Sequence, residues 1–213
     1  RSDSGGGDKE GPAGLGRMMT AAVIKGFLIS AVTMSLACTW PPAALSESKN
    51  VEVEVVAGGF ETPWAIAFAP DSRIFVTERA GSIRIIKDGK LQKDPWMVLD
   101  AYEAGEAGLM GLALDPGFGR SRFVYAAYSY RDSSSRLKNR LVRLRDDPVT
   151  GKGAMDKVLV DGVNGNNNHN GGRVKFGPDG KLYWTMGDAQ DTRYAQEVSS
   201  WNGKILRLNP DGT

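Results

Sequence analysis

The chain has 213 residues, a formal net charge of +2 and a hydrophobic fraction of 41%. This balance points away from a disordered chain or a bundle of membrane helices, and the charge is too small to argue for nucleic acid or an anionic membrane surface as partner. The single cysteine, Cys38, excludes an internal disulfide, a CxxC redox pair, a CxxCH haem attachment and a thiolate metal cluster.

The first stretch, residues 1–17, is polar, Gly-rich and aperiodic. It reads as disordered or as sequence upstream of the true start, with Met18 or Met19 as initiator. Residues 18–46 read as a secretory signal: Lys25, then the apolar run Gly26–Ala37, then small residues around Cys38 and Ala43–Ser46. The run falls short of the ~20 residues that a bilayer-spanning helix needs. Ser35-Leu36-Ala37-Cys38 also has the look of a lipoprotein cleavage box, so a lipid anchor at Cys38 stands beside loss of that cysteine with a leader cut after Ser46. Both readings place the mature protein in the periplasm or outside the cell.

Residues 47–213 form the expected domain. Val51–Val56 alternates as a strand would, and a unit then recurs three times. The copies begin at Trp64–Asp71, Leu109–Pro116 and Gly172–Gly180. Each continues through a second strand (Arg73–Thr77, Phe123–Tyr128, Lys181–Met186) and a third (Ser82–Ile86, Asn139–Leu144, Gly203–Leu208). Pro-Asp-Ser and Pro-Asp-Gly supply tight turns, because Pro presets φ, Asp bonds nearby backbone and Gly accepts positive φ. Period-two alternation, as in Leu182-Tyr183-Trp184-Thr185-Met186, suits strands with two different faces. Outer fourth strands are expected at Trp96–Leu99 and Val158–Val160. The fold class is all-β, and the repeat predicts a β-propeller rather than a β-sandwich, with about three blades present. Three blades cannot close a ring, so the sequence reads as the N-terminal part of a longer propeller.

Consecutive strands run antiparallel, so the lead-in to a blade's first strand and the exit from its second lie at the same end. In the third copy this brings together Asn164–Gly171, which carries His169, and Gly187–Asp191, which carries Asp188. In the second copy the same end receives Gly105–Gly108, with Glu106. Imidazole is a natural general base near neutral pH, and His169 is the chain's only histidine. A solvated loop histidine, a solvated loop acid and a turn-making aspartate are the plainer readings of the same three residues. Asn166, Asn167 and Asn168 shape the loop; Arg173 braces it or merely alternates outward. Trp64 is a core residue or a sugar platform. Ser129 and Ser199 lie in no GxSxG elbow, and no phosphate-binding glycine loop is present.

Four segments, Phe60–Phe68, Gly105–Ala113, His169–Gly180 and Asn202–Gly212, resemble in order the glucose/sorbosone dehydrogenase family of soluble aldose dehydrogenases that use pyrroloquinoline quinone (PQQ). The resemblance implies a six-bladed propeller and oxidation of an aldose at C1 to the lactone. It implies PQQ over the channel mouth with Ca²⁺ beside it, and an external electron acceptor, since no haem motif is visible. By matching motif, His169 takes the C1 hydroxyl proton and contacts the cofactor, while Glu106, Asp188 and Asn168 contact the substrate. The Ca²⁺ ligands and the basic residues that grip PQQ belong to later blades, so no metal ligand is assigned here and the fragment alone is expected to be inactive. Some members carry Asp where this chain has Asn168, and the amide predicts a weaker base or another substrate preference, since it lacks the charge that raises imidazole basicity. Two other functions fit the same frame: a non-catalytic extracellular binding propeller and a calcium-dependent lactonase.

Overall fold

The computed structural model describes residues 52–213. The aperiodic stretch 1–17, the leader expected over 18–46 and the anchor site at Cys38 lie outside the described residues. Three antiparallel sheets follow one another along the chain. The first contains β1 (Pro63–Phe68), β2 (Ile74–Glu78), β3 (Ser82–Lys87), β4 (Lys90–Leu91) and β5 (Met97–Val98). The second contains β6 (Leu109–Leu114), β7 (Phe123–Arg131), β8 (Leu137–Asp146) and β9 (Gly153–Asn164), with a helical turn α1 (Phe118–Ser121) between its first two strands. The third contains β10 (Gly171–Phe176), β11 (Leu182–Met186) and β12 (Ile205–Leu208), with α2 (Arg193–Gln196) between the last two.

The innermost strand of the second sheet, β6, packs against β1 and β2 on one side and against β10 on the other. The sheets therefore fan from their inner strands, as the blades of a propeller do. At the fan's centre the chains approach backbone to backbone: a Cβ on Gly111 would collide with the carbonyl of Gly172, so β6 carries glycine where it meets β10.

The turn between first and second strands is closed at the same place in every blade. Ala69 N–H donates to the Arg73 carbonyl at 2.8 Å, Asp115 N–H to Phe123 at 3.1 Å and Gly177 N–H to Lys181 at 2.9 Å. The second copy accommodates α1 inside this turn without losing the closing bond.

Alternation along β7 builds both cores. Val124, Ala126 and Tyr128 face the first sheet, among Phe75, Ile83, Trp96, Leu112 and Leu144. Tyr125 and Ala127 face the third, among Leu141, Val174, Leu182 and Trp184. The inner strands of the middle sheet, β6 and β7, are thus covered on both faces and carry unbroken buried runs, whereas the outer strand β9 is mostly exposed.

Some expectations need correction. Glu52–Val56 forms no strand: no neighbouring ladder takes up its backbone groups, and alternation alone does not make a strand without a partner. The outer strand expected at Trp96–Leu99 is only Met97–Val98. It shares β3 with β4, each pairing with a different half of that strand. Val158–Val160 is the middle of a longer strand, β9, whose pairing with β8 is broken by three register shifts.

One buried polar cluster ties the first two blades. Asp146, 1% exposed, accepts from Arg73 Nη1 and Nη2 at 2.9 and 2.6 Å, from Trp96 Nε1 at 2.8 Å and from Arg122 Nη1 at 3.3 Å. Burial pushes its carboxyl up, but the bonds from Arg73 and Trp96 outweigh that and hold it below the usual range. Its contribution is present above the ordinary carboxylate pKa and is lost as pH falls through the lower folded value. Asp146→Ala takes the acceptor from the Trp96 indole N–H, leaves Arg73 only the more exposed Asp71, and should cost about 3–5 kcal/mol by urea unfolding. A loss below about 1 kcal/mol, the range of exposed pairs, would contradict the bridging role.

Candidate functional site

The lead-in to each blade's first strand and the exit from its second are joined by the same backbone bond. Arg79 N–H donates to Thr62 at 3.1 Å, Ser129 N–H to Gly108 at 2.9 Å and Gly187 N–H to Asn170 at 3.2 Å. These three bonds define one rim of the fan, and the polar residues singled out in the sequence stand on it.

His169 immediately precedes the third of these bonds and has φ 60°, a left-handed backbone that L residues adopt at a cost. Its carbonyl accepts from Ala189 N–H at 3.1 Å. Gly187 is pressed against that carbonyl so closely that any Cβ there would collide with it, which explains the glycine ahead of Asp188. The His169 N–H donates to Glu106 Oε2 at 2.9 Å. Glu106 N–H in turn donates to the Asn167 carbonyl at 2.7 Å, so the second blade's lead-in is clamped to the histidine loop at both ends.

The imidazole Nδ1 lies 2.9 Å from Asp188 Oδ1, with the His169 side chain 57% exposed and that of Asp188 20% exposed. An ionised carboxylate only accepts, so Nδ1 carries the proton, and in the neutral ring Nε2 is the nitrogen that keeps its lone pair. Asp188 Oδ1 also accepts from Gln190 N–H at 2.9 Å. The bond with His169, and after it the bond from Gln190, hold the Asp188 carboxyl below the usual carboxylate range.

The structure thus brings His169, Glu106 and Asp188 together, with different contacts for each. Asp188 meets the ring and Glu106 the backbone. Asn168 is half-buried against the second blade's lead-in, where a Cβ on Gly105 would lie 2.8 Å from its Oδ1. The amide at position 168 therefore does not deprive the imidazole of a carboxylate, since Asp188 supplies one from the neighbouring loop. Trp64 is half-buried. Its ring lies 4.1 Å from the Arg173 guanidinium, and it borders a cavity of about 340 Å³ with Glu106, Met110, Asn170 and Gly171. Arg173 is exposed and covers Trp64 rather than bracing the loop through its side chain.

Sequence reasoning missed the residues beneath the loop. Asn139, Asn170 and Ser129 are buried and bonded to one another, and Asn202 Nδ2 donates to the carbonyls of Asn164 at 2.8 Å and Gly187 at 3.1 Å. The one signal in the sequence was the place of Asn139, an uncharged amide two residues before Leu141 on the buried side of a strand otherwise studded with Lys and Arg.

The glucose/sorbosone dehydrogenase family model matches residues 60–213. The aldose sugar dehydrogenase YliI of Escherichia coli K12 is 31% identical over 192 residues, covering 87% of this chain and 50% of that protein. Among solved structures, a Thermus thermophilus protein described as a glucose dehydrogenase superposes with a TM-score of 0.69 at 43% identity, over 75% of this chain and 47% of that one. The PQQ-bound aldose sugar dehydrogenase of Streptomyces coelicolor superposes with a TM-score of 0.68 at 32% identity, over 75% and 48%. The chain spans about half the length of the curated relatives it matches.

Because its folded pKa is depressed, Asp188 stabilises the pair above its unfolded value, about 3.9, and that contribution is lost as pH falls through the lower folded value. An NMR titration of the Asp188 carboxyl carbon should give a midpoint below ~3.9 in the native chain. The midpoint should move back up in His169→Ala, and a native midpoint at or above the ordinary value would refute the pairing.

Proposed function

The chain belongs to the glucose/sorbosone dehydrogenase family, and from that premise we propose that it carries the proton-accepting side of a PQQ-dependent aldose dehydrogenase site in the periplasm or outside the cell. The observation that carries the reading is the exposed imidazole of His169 held through Nδ1 by Asp188 at 2.9 Å.

In this reading the sugar's C1 hydroxyl approaches Nε2, whose lone pair is free because the proton sits on Nδ1. As Nε2 takes the hydroxyl proton the ring becomes cationic, and the Asp188 carboxylate on its far side stabilises that charge. Loss of hydride from C1 then leaves the lactone. Glu106 spends one oxygen on the His169 N–H; its remaining acceptor capacity suits a sugar hydroxyl. Asn168 stands next to that carboxylate as a second hydroxyl partner.

PQQ, when bound, supplies the two-electron acceptor that no side chain can provide. The residues present fit one edge of such a group. Arg173 is an exposed cation able to pair with a quinone carboxylate, and the His169 imidazole opens to the same rim as the Trp64-bordered cavity. Among the described residues no three His, Cys, Asp or Glu side chains gather as metal ligands, and no step here is routed through Ca²⁺.

In protein carrying the remaining blades and reconstituted with PQQ, His169→Ala should lower kcat for aldose-dependent dye reduction by about 10²–10⁴-fold, the usual worth of a positioned base. Undiminished turnover in that variant, with any aldose of a panel, would end the assignment. The three blades by themselves should neither retain PQQ through gel filtration nor reduce dye; measurable turnover by the isolated chain would show that the cofactor needs no further residues.

A further inference from the structure

We propose that Ser129, Asn139 and Asn170 are positioning residues that set the orientation of the His169 imidazole, an inference that rests on His169 being the base of the proposed reaction. All three are buried, at 0%, 0% and 1% exposure, and they form a continuous polar thread from the second blade to the histidine loop. Ser129 on β7 donates its hydroxyl proton to Asn139 Oδ1 at 2.6 Å. The two residues face each other across the β7–β8 ladder, so this bond lies within the sheet. Asn139 Nδ2 then donates to Asn170 Oδ1 and to the Asn164 carbonyl, each at 3.1 Å. Every polar atom of the Asn139 amide is used, and the Asn164 carbonyl, which only accepts, fixes which end is nitrogen. A flipped amide would set oxygen against the oxygens of Asn170 and Asn164.

Asn170 completes the thread by closing the loop on itself. Its Oδ1 accepts from Asn166 N–H at 3.1 Å, and its Nδ2 donates to the Asn166 carbonyl. One side chain thereby grips both backbone polar groups of a residue four positions earlier, and His169 lies inside the ring so formed, at φ 60°. Asp188 comes from a different loop, after β11. Whether the imidazole meets it at 2.9 Å is decided by where this ring sits on the second blade. The thread's last link falls on the residue next to the histidine rather than on a strand, which is what positioning requires and plain core satisfaction does not.

Because His169 is the chain's sole histidine, nitrogen NMR of histidine-labelled protein reads a single imidazole, with or without cofactor. With the ring neutral, the native chain should show a protonated, pyrrole-type Nδ1 and a pyridine-type Nε2. Asn170→Asp keeps the acceptor but replaces the donor to Asn166 with an oxygen. It should erase the difference between the two nitrogens as the ring exchanges tautomers, while circular dichroism stays native. Ser129→Ala, which leaves the buried Asn139 Oδ1 without its donor and so loosens the amide, should reduce that difference, and decides the matter if Asn170→Asp does not fold. Val142→Ala, a core truncation away from the thread, should leave the spectrum native.

A folded Asn170→Asp variant with the native nitrogen pattern would overturn the proposal, as would an equal change in Val142→Ala. A native chain with no preferred tautomer would overturn both this inference and the assignment of His169 as an oriented base. A fixed native tautomer that ignores the thread variants would overturn the inference alone.

Discussion

The site depends on one backbone bond made three times. Thr62 with Arg79, Gly108 with Ser129 and Asn170 with Gly187 each tie the start of a blade's first strand to the end of its second. Antiparallel pairing forces those two points to one end of the blade, and inner-strand packing sets the three ends side by side. Residues far apart in sequence therefore meet without long side chains having to reach. Glu106 and His169 are separated by 63 positions, yet a single 2.9 Å bond joins them. Only the third copy puts an imidazole and a carboxylate beside the bond; the first two use it as structure.

The opposite kind of tie holds the blades as a stack. Apolar burial between sheets supplies most of the cohesion, at roughly 25 cal/mol per Å² removed from water. It is indifferent to small sliding of one sheet past the next. Asp146 is not indifferent: it must meet a guanidinium fork and an indole N–H at fixed angles, and Trp96 must lie flat enough that a Cβ on Gly153 would touch its ring at 2.7 Å. Phe75 stands edge-on to both Trp96 and Phe118, with ring centroids 5.2 and 5.9 Å away. A directional cluster of this kind fixes the register of the first two blades, and through β6 and β10 that register reaches the third.

Much of this was legible in the sequence because it repeats. Turn residues recur at the same place in each copy, alternation marks the strands, and antiparallel logic places His169 opposite Asp188. What does not repeat was not legible. The Arg73–Asp146 pair joins positions 73 residues apart through different strands of different blades, and no period within a strand announces it. Asn139 reads as one polar residue among the many of β8 until Asn170 is seen against it. The length of β9 was hidden by its bulges, which break the alternation that the eye follows. Glu52–Val56 shows the reverse error, since alternation is a property of the residues whereas a strand is a property of a pair.

The magnitudes also explain why the histidine is held by its backbone. His169 is 57% exposed, as a base that must meet a substrate has to be, and solvent screens an exposed ion pair until it contributes little. A left-handed non-glycine residue costs of order 1–3 kcal/mol. The Asp188 contact alone cannot supply that and also fix the ring. The difference is met out of solvent's reach or in the backbone: the Glu106 clamp on the His169 N–H, the Ala189 bond to its carbonyl, the bare Cα of Gly187 and the buried amides below. Exposure, which a proton acceptor needs, is compatible with orientation only because the scaffold beneath it is rigid.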